Sequence, residues 1–131
     1  VQLLEGHANP SWLTLRPDGR RLYAVEGDGE WLHAFAVAPE GSIEPAVSRH
    51  LRGHNPVHAA LSPCGGWLLV ANHLSSAVAV IPLDADGWPG EVAHLEELRG
   101  PPGPHRLEQP FAKPHQVIFD PSGALVLVPD K

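Results

Sequence analysis

Three stretches of the chain align without a gap: PSWLTLRPDGRRLYAVEG (10–27), PVHAALSPCGGWLLVANH (56–73) and PHQVIFDPSGALVLVPDK (114–131). Each obeys P-x6-P-x-G, with first prolines Pro10, Pro56 and Pro114, second prolines Pro17, Pro63 and Pro121, and glycines Gly19, Gly65 and Gly123. A second marker keeps the same beat. LEG, LRG and LRG end at Gly6, Gly53 and Gly100, 47 residues apart each time. A fixed period of ~40–50 residues holding four strands is the signature of a β-propeller.

One unit can be read locally. SWLTLR and its equivalents form a first strand. The P-x-G turn reverses the chain, because proline presets its own φ and glycine accepts a positive one. RRLYAVE, GWLLVAN and ALVLVP form the second strand. WLHAFAVA (31–38) and SAVAVIPL (76–83) read as third strands, and fourth strands fall near 43–50 and 91–98. VQLLE (1–5) fits the fourth strand of a preceding blade. The expected fold class is therefore all-β: a β-propeller fragment of about two and a half four-stranded blades. Its expected divisions are 1–6 (end of a preceding blade), 7–53 (a blade), 54–100 (a blade) and 101–131 (an insertion loop and the start of the next blade). The chain contains no Met, and ALVLVPDK stops on a strand-like run with no turn after it, so both ends are expected to be internal to a longer chain. A β-sandwich does not usually repeat a whole four-strand unit at constant spacing. A helical reading fails on the prolines and on the alternating β-branched runs.

Composition narrows the function classes. Net charge is −6, and no basic run of the kind that tracks nucleic-acid phosphates occurs. No apolar run approaches the ~20 residues of a membrane helix, and no signal peptide is visible, so a cytoplasmic location is expected. The single Cys64 has no partner for an internal disulfide and no metal-ligand spacing. His50, His54 and His58 are spaced by four, which would make a metal face on a helix, but Gly53 and Pro56 interrupt the segment. HExxH, G-x-S-x-G, P-loop and dinucleotide fingerprints are missing. No cofactor or metal is expected, and neither a nucleic-acid nor a membrane partner.

Strand geometry places a site. In an antiparallel blade the start of strand one and the end of strand two share an edge, opposite the P-x-G turns. Strand one lines the central channel. The residues after Pro10, Pro56 and Pro114 should therefore meet Glu26, Asn72 and Asp130 around one mouth. That rim would carry His58, His115 and Gln116 from inner strands, and Glu26, Asp28, Asn72, His73, Asp130 and Lys131 from strand-two ends. His58 lies two residues after its proline and His115 only one, so the two face the same way only if a strand start is irregular. The connection 101–113 (PPGPHRLEQPFAK) is far longer than its counterparts and falls on the mouth side. Long connections on rigid scaffolds often carry function. This one brings Arg106, Glu108, Gln109 and Lys113 next to His115: a cation, a carboxylate and an imidazole that together can bind an anion, move a proton and stabilise an oxyanion. Composition alone favours a solvated proline-rich loop.

The succession NPSWLTLRPDGRRLYAVEG, HNPVHAALSPCGGWLLVAN, AVAVIPLDADGWPG and GPHRLEQPFAKPHQVIFDPSGALVLVPDK resembles the lactonase family of seven-bladed β-propellers, which includes the propeller-type 6-phosphogluconolactonase and the carboxy-muconate cyclase. The resemblance covers essentially the whole chain and is most specific in its last segment. It implies hydrolysis of a sugar lactone, typically 6-phosphogluconolactone, in the pentose phosphate pathway. The family's Arg, Gln or Glu, and Pro-His-x-His element implies catalytic roles for Arg106, Glu108 and His115, with Gln109 beside them. Lys113 stands where the first His of that element often lies, a departure from the pattern. His58, Asn72, Gln109, Lys113, Asp130 and Lys131 are expected to bind substrate, with Lys113 or Lys131 on a phosphate. The remaining blades of the same chain are the expected macromolecular partner. A non-catalytic binding platform and a cyclase-like enzyme are the alternatives.

Overall fold

The computed structural model describes all of residues 1–131. Two four-stranded antiparallel sheets follow one another along the chain. The first runs β1 (Pro10–Leu15), β2 (Arg21–Glu26), β3 (Trp31–Val37) and β4 (Ile43–His50), in that spatial order. The second runs β5 (Pro56–Leu61), β6 (Trp67–Asn72), β7 (Ala77–Pro82) and β8 (His94–Glu97), again in sequence order. A short hairpin, β9 (Ile118–Phe119) and β10 (Val126–Leu127), occupies the third repeat. The P-x-G turns close as expected, with Gly19, Gly65 and Gly123 at φ of 71°, 71° and 72°.

The expected strands recur within a few residues of their positions, with two differences. VQLLE forms no strand; instead the Gln2 side-chain amide bonds both the backbone N–H and the carbonyl of Ile43 at the start of β4. Within the expected strand ALVLVP, only Val126–Leu127 pairs as a strand, with Ile118–Phe119.

Alternation in β6 explains the stacking. Leu68 and Val70 join Tyr23, Val25, Leu32, Ala34 and Leu51 of the first unit in one core, together with Ile81 and Val92. Leu69 and Ala71 point the other way and pack with Val78 and Val117. The second sheet is thus buried on both faces, which is why WLLVAN and AVAVIP read as nearly continuous apolar runs.

The inner strands β1 and β5 lie side by side, joined by side chains rather than by a backbone ladder. Ser11 Oγ donates to the Pro56 carbonyl (2.6 Å), while Trp12 Nε1 (3.1 Å) and Thr14 Oγ1 (3.0 Å) both donate to the Ala59 carbonyl.

Candidate active site at the mouth of the channel

The register expected from the repeat is present in all three units: Pro10 pairs with Glu26, Pro56 with Asn72, and Pro114 with Asp130. One end of the molecule therefore gathers the strand-one starts and strand-two ends. Backbone strain concentrates there. Every non-glycine residue with positive φ (Asn9, Asp28, Arg52, Asn55 and Ser76) lies in a connection at this end, whereas at the opposite end positive φ is confined to glycines. Such conformations cost ~1–3 kcal/mol each and tend to cluster at functional sites.

The mouth is electrostatically divided. Over the first sheet it is acidic: a cleft of about 520 Å³ is lined by Asn9, Glu26, Asp28, Glu30, Trp31 and His54, among others. Asn9 Nδ2 donates to Asp28 (2.7 Å), and His50 pairs with Glu30 (2.8 Å). Over the joint between the second sheet and the third unit it carries imidazoles and lysines. The His73 and His115 rings meet edge to face, centroids 5.3 Å apart. Burial pushes the His73 imidazole below its ordinary value, opposed by its bond to the Pro114 carbonyl and reinforced by His115, Lys113 and Lys131. Burial, and then His115, likewise depress His58.

Both first strands of the complete sheets begin with a bulge, between Pro10 and Trp12 and between Pro56 and His58. That irregularity resolves the parity difference between His58 and His115, because the extra residue resets which face the following side chains take. His58 is 9% exposed and stacks on Trp12, ring centroids 4.1 Å apart. Its Nδ1 accepts the Val117 N–H (3.4 Å).

The insertion is tied to this rim at its far end. Ser76 Oγ donates to the Ala112 carbonyl (2.6 Å), Lys113 N–H donates to Asp130 Oδ1, Lys131 N–H to the Lys113 carbonyl (3.1 Å) and His115 N–H to the Pro129 carbonyl (3.0 Å). Lys131 Nζ pairs with Glu108 (3.4 Å). Glu108, Lys113, His115, Asp130 and Lys131 therefore form one connected patch. Arg106 is exposed on the turn just before Glu108, and no hydrogen bond or ion pair links it to the others. Gln109 folds back on its own loop, its N–H donating to the His105 carbonyl (2.7 Å) and its Oε1 accepting the His105 N–H. Asn72 sits behind the rim: it is fully buried, and neither polar atom of its amide has a protein partner.

His73 was placed on the rim by the repeat, but the catalytic and substrate-binding assignments did not include it, although it stands next to Asn72. Its signal was positional: the same short 3₁₀ turn that carries it, His73–Ser75, leads into Ser76, which anchors the insertion.

The sequence matches the family described as lactonase, 7-bladed β-propeller, over residues 1–131. The chain belongs to this family. A fungal relative, the probable 6-phosphogluconolactonase of Arthroderma benhamiae, is 29% identical over 94% of this chain and 32% of its own length. Among solved structures, the periplasmic gluconolactonase of Pseudomonas aeruginosa superposes with a TM-score of 0.81 at 27% identity, over 93% of this chain and 36% of that one. A candidate 6-phosphogluconolactonase of Bacteroides uniformis gives 0.85 at 27% identity, over the same shares. The chain thus spans about a third of the length of these lactonases.

Proposed function

We propose that the protein carrying this chain opens the ring of a sugar lactone by hydrolysis, with 6-phosphogluconolactone as the substrate. The observation that carries the reading is the patch at the mouth, where His73 and His115 touch and Lys113, Lys131 and Glu108 lie on the same rim. Ester hydrolysis at neutral pH needs a group that takes a proton from water, and an imidazole is suited to that. A phosphorylated substrate also needs fixed positive charge, and lysines are strong point-charge donors for phosphate. The names of the relatives favour a lactone over other esters.

In this reading His115, whose ring is exposed at the rim, accepts the proton of the attacking water. Glu108 holds Lys131 in place, and Lys113 and Lys131 face the phosphate. Arg106, two residues before Glu108 on the same loop, extends the cationic lip. The acidic cleft over the first sheet repels the phosphate and confines it to the cationic sector.

The test is hydrolysis of 6-phosphogluconolactone by the full-length protein, measured above the spontaneous rate, against the unphosphorylated lactone. His115→Ala should lower kcat about 100-fold or more, the usual range for removal of a general base. Activity of that variant within a few-fold of the parent overturns the base assignment. Equal kcat/KM for the two lactones overturns the phosphate assignment.

A further inference from the structure

We infer that His58 is the donor that stabilises the developing oxyanion of the lactone carbonyl, acting as a neutral imidazole whose tautomer is fixed by the backbone. This rests on the lactonase reading above.

The argument begins with what a backbone amide can do. The Val117 N–H points at His58 Nδ1. An amide N–H only donates, so Nδ1 must present its lone pair, and the single ring proton of a neutral imidazole must sit on Nε2. Adding a second proton would set two N–H groups against each other at Nδ1. The neighbouring His115 also disfavours a positive charge on this ring. Low exposure disfavours the charged form further.

The ring plane is held as well. Trp12 stacks on it at a 33° tilt, and Trp12 is itself pinned through Nε1 to the Ala59 carbonyl. Nε2 has no protein partner, yet it is not among the polar atoms sealed from solvent. A proton-bearing nitrogen on a largely buried ring, held by Val117 and Trp12, thus keeps access to solvent. Preorganised donors in poorly hydrated surroundings are the groups that lower the energy of a forming oxyanion most. A neutral imidazole suits this role because it polarises a carbonyl without giving up its proton.

His73 shows the opposite polarity. Its Nδ1 faces the Pro114 carbonyl (3.3 Å), so Nδ1 carries the proton and Nε2 presents a lone pair. Backbone contacts thus set two neighbouring imidazoles into complementary states, a donor at His58 and an acceptor at His73.

The step balances as follows. The water oxygen bonds to the carbonyl carbon, and its proton passes to the base. The carbonyl π pair moves onto oxygen, where the His58 Nε2–H holds it by a hydrogen bond without transfer. On collapse the ring C–O bond breaks, the proton on the base goes to the departing alkoxide, and the product is the open hydroxy acid.

Two substitutions in the full-length protein separate this role from a structural one. His58→Asn keeps an acceptor near the Nδ1 position for Val117 but has no donor at the Nε2 position. His58→Gln carries an amide N–H close to where Nε2–H lies. Loss of one such donor is worth about 100- to 1,000-fold. The expected result is a fall in kcat of about that size for His58→Asn with KM within about threefold, and His58→Gln within about tenfold of the parent. The pH profile should keep its limbs in both variants. Nitrogen-15 spectra at pH 8 should show His58 as the Nε2–H tautomer. Three results overturn the inference: His58→Asn turning over at the parental rate, both variants falling equally with a lowered Tm, or His58 carrying its proton on Nδ1. If the parent hydrolyses lactone and His58→Asn is unimpaired, only this role falls. If the parent hydrolyses no lactone, the reading it rests on falls and takes the role with it.

Discussion

At the scale of single residues, the rim depends on a glycine that the repeat already marked. Gly53 ends the second LxG triplet, and a Cβ built on it would lie 2.5 Å from Asn72 Nδ2 and 2.6 Å from Asn72 Cγ. Asn72 is fully buried and has nowhere to swing. Gly53→Ala should therefore destabilise the protein by about 1–3 kcal/mol, the usual cost of overpacking a closed site. A denaturation midpoint equal to that of the parent would show that the loop yields freely. The pairing of Asn72 with Pro56 was legible in the sequence, because antiparallel register follows from the turn between them. The depth of Asn72 was not, since it depends on how the loop carrying Gly53 folds back over the strand end. His58 shows the same division. Its place on an inner strand could be read from the repeat, but its tautomer comes from Val117, 59 residues away.

Among the elements, the segment DADGWPG (84–90) carries the Asp, Pro and Gly of a turn. The structure shows it gripped by the first sheet. Tyr23 OH donates to the Gly87 carbonyl (2.7 Å), Arg49 Nε to the Pro89 carbonyl (2.9 Å) and Arg16 to the Ala85 carbonyl (3.3 Å), while the Arg21 guanidinium lies 3.8 Å from the Trp88 ring centroid. Turn chemistry is local, so sequence reveals it. Docking is set by the stacking of one sheet on the next, which no local pattern reports. Tyr23→Phe keeps the ring in the core but leaves the Gly87 carbonyl without its donor. That should cost about 1–2 kcal/mol, within the range for an orphaned buried acceptor. Gly87→Ala should cost more, because Gly87 combines a φ of 86° with the Arg16 guanidinium packed against the position a Cβ would take. Chemical denaturation of the two variants checks both the size and the order, and the reverse order would place the grip elsewhere than on this turn.

For the whole molecule, the period of 47 residues was enough to give the architecture, because a repeated unit that buries both faces must stack. It also located the end at which the strand-one starts and strand-two ends gather. The composition of that end was less legible: His73 and His58, about 42 and 57 residues from His115, come near it only once the blades are stacked, and the burial of such imidazoles has a consequence for stability. His33, His58 and His73 all have imidazoles held below the ordinary value of 6.5, in each case chiefly by burial. His33 also faces His7, with Glu26 pulling weakly the other way; His58 faces His115; His73 faces His115, Lys113 and Lys131, with the Pro114 carbonyl opposing them. For such groups the unfolded chain binds protons more readily than the folded one. Stability is then complete above the unfolded value and declines as pH falls from about 6.5 towards the lower native values, with no further loss from these groups below them. The carboxylates of Asp120 and Glu40, held low mainly by bonds from Ser122 and Ser42, act in a separate and more acidic window. Unfolding of the full-length protein at a series of pH values should thus show a loss between pH 7 and 5.5. His33→Gln, which removes one of the three titrating rings, should make that slope shallower. A stability that rises over the same interval would mean that the histidines are not kept neutral by burial, and that cationic imidazoles are already stable in the folded protein.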